Sequence, residues 1–267
     1  MEELMSSILE KCHTFKFSES YGFADKVRKA IFERDYAIDP LEVAEDVELQ
    51  VTKPQKRTLL HDYIEYVVVD HLNFYFRGGG WEFEDVLPVL SMLESHQIEY
   101  QELDHYIKEL LRDDESGKTV EITEEHIDEY KYQYAWDYIE PLVQAKFVPV
   151  LVTEVFSLLF ADREAMKVFN INVAESMGER SKRNTYWPKW LERELFCREK
   201  GLCALCKTDL SSVYHTHGKV AIDHIVPIAK NGVNDPTNLQ ILCQSCNSKK
   251  SGTVIQTSNA MPVFWEM

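Results

Sequence analysis

Apolar residues recur at helical spacing along most of the first 180 positions. Between Asp25 and Tyr36, Val27, Ala30 and Ile31 fall on one side of a helix, and from Thr58 to Phe76 the same period runs through Leu59, Tyr63, Tyr66, Val67 and Phe74. The run Arg77-Gly78-Gly79-Gly80 predicts a stop, because glycine readily takes the left-handed geometry that ends a helix. Further helices are predicted over Glu82 to Glu94, Tyr100 to Arg112, Glu124 to Phe147 and Val150 to Phe169, with Asp113 to Lys118 as a polar turn. The alternation of Val47, Leu49 and Val51 is that of a short strand.

One stretch carries two periods at once. Tyr130, Tyr132, Tyr134, Trp136 and Tyr138 alternate with polar residues as in a strand, yet their flanks are helical. A helix with aromatics on two faces, packed between neighbours, is preferred over a platform for stacking bases. Glu124, Glu125, Asp128, Glu129 and Asp137 around it would repel phosphate.

The pattern changes after residue 180. Lys182, Arg183, Lys189, Arg193, Arg198 and Lys200 make a basic stretch, in which Pro188 suits the first turn of a helix through Leu191, Leu195 and Phe196. Gly201 ends that helix just before Cys203. Charge follows the same division: residues 1–180 hold 18 Lys/Arg against 38 Asp/Glu, a net −20, and residues 181–267 hold 11 against 7, a net +4. Only the second part has a balance suited to a polyphosphate partner, despite the overall −16. The expected organisation is an acidic, mainly helical domain over residues 1–184 and a second domain over 185–267, an α+β chain overall.

Length and the 45% hydrophobic content permit a substantial core. No run of about 18 uncharged apolar residues occurs, and Met1-Glu2-Glu3-Leu4 lacks the marks of a signal peptide. A soluble cytoplasmic protein with no membrane partner is the expectation, in a reducing compartment that suits metal-held thiolates.

The chemistry concentrates between residues 203 and 250. Cys203/Cys206 and Cys243/Cys246 are two Cys-x-x-Cys pairs, the set that a tetrahedral structural zinc takes. Such a closed site leaves no position for substrate, so reactivity must lie in Asp223, His224, Asn238 and Asn247. With an ordinary pKa of about 6.5, His224 is able to accept a proton from water at neutral pH. For Asp223 and His224 to serve one site, their strand must end or bend there, and Pro227 is consistent with an early exit. Asp223 and Asn247 offer one carboxylate and one amide oxygen, hard ligands that suit Mg²⁺ or Mn²⁺.

Cys203-Ala204-Leu205-Cys206, Ile222-Asp223-His224-Ile225-Val226-Pro227, Asn231-Gly232, Asn238-Leu239-Gln240, Cys243-Gln244-Ser245-Cys246-Asn247 and Lys249-Lys250 together resemble the HNH endonuclease family and its ββα-metal motif. The resemblance implies that the Asp-His pair ends a first strand, that a loop leads to Asn238 and a second strand, and that Asn247 begins a helix. It implies a catalytic metal on Asp223 and Asn247 bridging the scissile phosphate and the leaving 3′-oxygen, with Asn238 bracing the loop and orienting His224. Lys249 and Lys250, and in the basic stretch Lys189 and Arg193, are the candidate phosphate contacts.

The function that follows is a metal-dependent endonuclease acting on DNA, double-stranded in preference, of a kind used in bacterial or phage restriction and antiviral defence. The acidic domain would serve targeting, restraint, a protein partner or homo-oligomer formation. The alternative is a non-catalytic, zinc-stabilised nucleic-acid-binding or protein-interaction module. Elsewhere, Ser116-Gly117-Lys118-Thr119 lacks the glycine of a phosphate loop, with Arg112 in its place, and reads as a turn. His215 and His217 suit an exposed hairpin tip, and the histidines at 13, 61, 71, 96, 105 and 126 read as structural.

Overall fold

The computed structural model describes residues 15–33, 38–112, 121–215 and 220–262, with only the backbone of His215. The turn expected at Asp113 to Lys118, Cys12 and His217 lie outside the described residues. Among the described residues the fold is mostly helical, with one two-stranded antiparallel sheet near the C-terminus. Two compact units divide the chain, Met1–Tyr21 with Val68–Glu154 and Gly22–Val67 with Val155–Met267.

In the first unit, the aromatic run settles into a helix. Tyr134 and Tyr138, one turn apart, meet the ring of Tyr106, while Tyr132 and Trp136 meet Trp81 on another side. Tyr134 and Tyr138 also bracket Gln101, the Tyr134 hydroxyl donating to its carbonyl at 2.6 Å and its N–H donating to Tyr138 at 2.7 Å. Tyr134 is therefore core, and Tyr132, Trp136 and Tyr138 make contacts between elements, Trp136 while 44% exposed. Two segments here, Tyr134–Ile139 and Val143–Phe147, widen to π-helix. Each precedes a proline by two residues, Pro141 and Pro149. A proline inside a helix has no N–H to donate, and its ring collides with the carbonyl one turn back, so the wider turn relieves the clash.

The continuous helical run Glu124–Ala161 is long and apolar enough to cross a membrane by composition. Its Tyr134, Ile139, Val143, Phe147 and Leu151 are buried within the protein. Glu154 on this run is also buried, and accepts from the Lys16 and Phe17 amides at 2.8 and 3.0 Å and from the Ser20 hydroxyl at 2.5 Å.

In the second unit, residues 47 to 51 form the helix Val47–Thr52 rather than the strand that their alternation suggests. Asp46 overrides the pattern: its carboxylate caps the Leu49 N–H at 3.0 Å, supplying a donor-starved helix start with its acceptor. Gln50 and Val51 turn inward, where Gln50 Nε2 donates to the buried Asp62 at 2.7 Å. Arg57 closes the same cluster, its Nε 2.6 Å from the other Asp62 oxygen.

Helix Lys189–Arg198 follows Pro188 and ends where Lys200 and Gly201 take left-handed backbone, at φ +55° and +74°. Its Leu191 and Leu195 pack with Cys203, Ala204, Leu210 and Leu239, Ile241 and Leu242 into the core beneath the sheet. Strands β1, Ala221–His224, and β2, Leu239–Leu242, pair with Ala221 opposite Leu242 and His224 opposite Leu239. Helix Gln244–Lys250 follows β2.

Candidate active site and metal centre

β2 separates two centres. The four cysteines cluster at its C-terminal end, next to Leu242, and the Asp223-His224 pair lies at the other end, opposite Gln240 and Leu239. Four residues of extended chain put these ends roughly 13 Å apart. Helix Gln244–Lys250 then retraces that distance at about 1.5 Å per residue, which carries Asn247 and Lys250, one turn apart on one face, back toward the pair.

The sulfurs of Cys203, Cys206, Cys243 and Cys246 lie within 4.8 Å of one another, and Cys206 Sγ is 3.8 Å from Cys243 Sγ. A disulfide requires about 2.05 Å. A tetrahedron with zinc–sulfur bonds of about 2.3 Å has edges of about 3.8 Å, so the set fits a zinc ion. Backbone N–H groups support it, from Cys243 to Cys203 Sγ at 3.3 Å and from Cys246 to Cys243 Sγ at 3.4 Å. The Thr208 hydroxyl draws the Cys206 thiol down to about 6, while burial and the neighbouring sulfurs push Cys246 up to about 12. Four adjacent thiolates oppose one another, and a divalent cation removes that conflict.

At the other end, β1 finishes at His224 and the chain turns through Ile225 and Val226. Asn238 holds that turn. Its Oδ1 accepts from Val226 N at 2.8 Å, and its Nδ2 donates to the carbonyls of Val226 and Val233 at 3.0 and 2.9 Å, all buried. Gly232 completes the loop where a side chain has no room: a Cβ there would stand 1.9 Å from the Val226 carbonyl oxygen.

The partner of the His224 ring is Asn234, with Nε2 3.1 Å from Asn234 Oδ1. Asn234 Nδ2 donates to the carbonyls of Thr52 and Lys182, at 3.0 and 2.8 Å, which fixes the amide with its oxygen toward the histidine. Oδ1 also accepts from Asn184 N, and Asn234 N donates to Val51 O. An acceptor facing Nε2 requires the proton on that nitrogen, so Nδ1 keeps the lone pair of a base. The ring of Trp187 meets His224 edge to face at 5.8 Å. Burial lowers the His224 pKa below its ordinary value; Asn234 and Asp223 pull it up, and Arg183 and Lys250 push it further down.

Asp223 Oδ2 accepts from Gln240 Nε2 at 3.0 Å and pairs with Lys250 Nζ at 3.0 Å. The same ammonium donates to the His224 carbonyl at 2.7 Å, and the Lys250 side chain is 1% exposed. Lys250 thus turns inward onto the two central residues, whereas Lys249, Lys189 and Arg193 are exposed. Asp223 and the partly exposed Asn247 carry oxygen atoms, the donor type that a hard divalent cation takes. Asp235 anchors the site from below. It accepts from the Thr237 hydroxyl at 2.6 Å and from Leu59 N at 3.0 Å, and burial pushes its carboxyl up to about 6 against those bonds.

This arrangement is a ββα unit whose Asp-His pair closes the first strand, whose asparagine precedes the second, and whose helix starts within a cysteine pair. Residues 203–253 match the family model of the HNH endonucleases. No curated protein and no solved structure matches the chain. The HNH segment supports nuclease-type function and a nucleic-acid substrate in general terms, with a four-cysteine centre suited to structural zinc.

Several residues of the HNH site lie outside the quoted motifs. Asn234, Trp187, Lys182 and Asn184 carry no spacing signal, and the carbonyls of Val51 and Thr52 come from about 180 residues away in sequence. Asn231-Gly232 did mark the loop that presents Asn234, although nothing in it indicates where the amide points. Gln240 follows strand register, being opposite Asp223 on the partner strand.

Proposed function

We propose that the protein is a metal-dependent HNH endonuclease that hydrolyses phosphodiester bonds in duplex DNA. The observation that carries this reading is the His224–Asn234 bond. It spends the Nε2 proton on a fixed acceptor and leaves Nδ1 to take a proton from water. The resulting hydroxide attacks phosphorus in line, the bond from phosphorus to the 3′-oxygen breaks, the departing 3′-oxygen takes a proton from solvent to end as a hydroxyl, and the proton held by His224 returns to solvent. Asp223 and Asn247 would hold Mg²⁺ or Mn²⁺, which supplies charge to the scissile phosphate and the leaving oxygen. Asp223 also raises the basicity of His224, opposing the effect of burial.

Lys250 has a positioning part in this reading. Its ammonium ties Asp223 Oδ2 to the carbonyl of His224, so the two residues keep one geometry although successive strand positions point to opposite faces. Lys249, Lys189, Arg193, Lys182 and Arg183 are the exposed cations that would meet DNA phosphates. A role in restriction or antiviral defence accords with a nuclease segment carried by a larger acidic helical chain, and is part of the same proposal.

Supercoiled plasmid incubated with the protein and Mg²⁺ or Mn²⁺ tests it. Nicked or linear product in the presence of either metal supports cleavage. Plasmid left intact across metals and salt concentrations, with retained DNA binding, would favour a zinc-stabilised binding module instead.

A further inference from the structure

A cavity of about 490 Å³ opens in the second unit beside Arg198, and neither Asp223 nor His224 lines it. Its volume lies within the range of about 300–1,000 Å³ typical of small-ligand sites. Aromatic rings form much of its wall: Phe156 and Phe160 stack with centroids 4.9 Å apart, and Trp190 faces the same space. Lys56, Arg193 and Arg198 bring cations to it, against a single acid, Glu194, which pairs with Arg193 at 3.0 Å.

Arg198 is the unusual member. Its side chain is 2% exposed and lies 4.3 Å over the Phe160 ring. Behind the wall, Arg198 and Arg163 share one carboxylate, Glu199, at 2.9 and 3.3 Å. Arg198 also donates to the Leu239 carbonyl, yet its Nη1 is buried with no hydrogen-bond partner among the described residues. Two guanidiniums on one buried carboxylate leave an excess of positive charge, which an anion offsets. Aromatic faces beside cations suit a ligand with a flat ring system and a phosphate. Gln55, at the same cavity, supplies a neutral donor and acceptor for ring edges.

We propose that this cavity binds a free mononucleotide, with its base against Trp190 and its phosphate toward Lys56 and Arg193, in front of the buried Arg198. The limited volume and the acid at Arg193 suit one nucleotide rather than a continuous strand. Neither Asp223 nor His224 lines the site, which shares Arg193 with the proposed DNA-facing cations, and nucleotide binding there does not rest on the nuclease reading.

Cys197 reports occupancy, because its exposed thiol lines the cavity. The full-length, zinc-loaded protein is alkylated with iodoacetamide without added Mg²⁺ or Mn²⁺, and labelling of the Cys197 peptide is followed by mass spectrometry. AMP, GMP, CMP and UMP are compared with adenosine, inorganic phosphate and a short single-stranded oligonucleotide. At least one mononucleotide should slow labelling, about tenfold when present at ten times its dissociation constant. Inorganic phosphate should not, and Lys56→Glu, an exposed position whose folding a thermal melt verifies, should remove the protection. The proposal is overturned by millimolar nucleotides that never protect, by phosphate that protects equally, by protection from the oligonucleotide alone, or by undiminished protection in Lys56→Glu. His224→Ala should be protected as well as wild type, so loss of cleavage and loss of nucleotide binding are read separately.

Discussion

Replacing Asn238 with alanine removes the brace of the loop between the two strands. Three buried hydrogen bonds go at once, one from Val226 N and two to the carbonyls of Val226 and Val233. At a net ~1 kcal/mol each the loss is ~3 kcal/mol, and backbone groups left dry in the vacated space raise it to about 5 kcal/mol. For a folding unit of this size that lowers the melting temperature by roughly 10 to 20 °C. Urea titration followed by tryptophan fluorescence measures the change, with zinc content checked in parallel. Asn238→Asp should cost at least as much, because it keeps the acceptor for Val226 N but sets a carboxylate against two carbonyl oxygens. A loss below about 1 kcal/mol for Asn238→Ala would refute the assignment of Asn238 as the loop brace.

Three further outcomes follow from the same geometry. Gly232→Ala should destabilise the second unit more than Asn238→Ala, because its Cβ meets backbone at 1.9 Å; an unchanged urea midpoint would contradict that packing. Cys203→Ser, or stripping zinc with a strong chelator, should abolish the cooperative melt of the second unit, since ligand loss withdraws folding free energy; metal analysis with circular dichroism reads both. Burial lowers the His224 pKa, so its neutral form is favoured by folding: the associated stability is present above about pH 6.5 and is lost as pH falls below that toward the folded value. The acid limb of the cleavage rate should accordingly lie below pH 6.5, and a limb above it would show His224 to be less enclosed than its 4% exposure implies.

The HNH segment was legible because its signals are local. Two cysteine pairs, an Asp-His dipeptide before a proline, and an asparagine ahead of an apolar run each constrain a few neighbouring residues, and the strands formed where those constraints placed them, while the helix begins at Gln244, capped by Cys243, three residues before the Asn247 expected to start it. Long-range contacts left no such trace. Asn234 reaches the carbonyls of Thr52 and Lys182, and Asp235 caps Leu59 N, pairings that no periodicity encodes. Lys250 shows the same limit: a lysine after a cysteine pair reads as a phosphate contact, yet helix phase turns it inward onto Asp223. At Val47 to Val51 a single capping aspartate outweighed three alternating apolar residues. The tyrosine alternation resolved into two i,i+4 pairs once π-turns accommodated the prolines that follow.

The central claim is that His224 takes a proton from water in a cleavage reaction, and single-turnover cleavage of an end-labelled duplex tests it most directly. Wild type and His224→Ala, matched for zinc content and melting temperature, are compared with Mg²⁺ or Mn²⁺ present. The account predicts products with 5′-phosphate and 3′-hydroxyl ends and a rate on the order of 10² to 10⁴ lower for His224→Ala. Equal rates for the two proteins, or no cleavage by wild type under any metal condition, would contradict it.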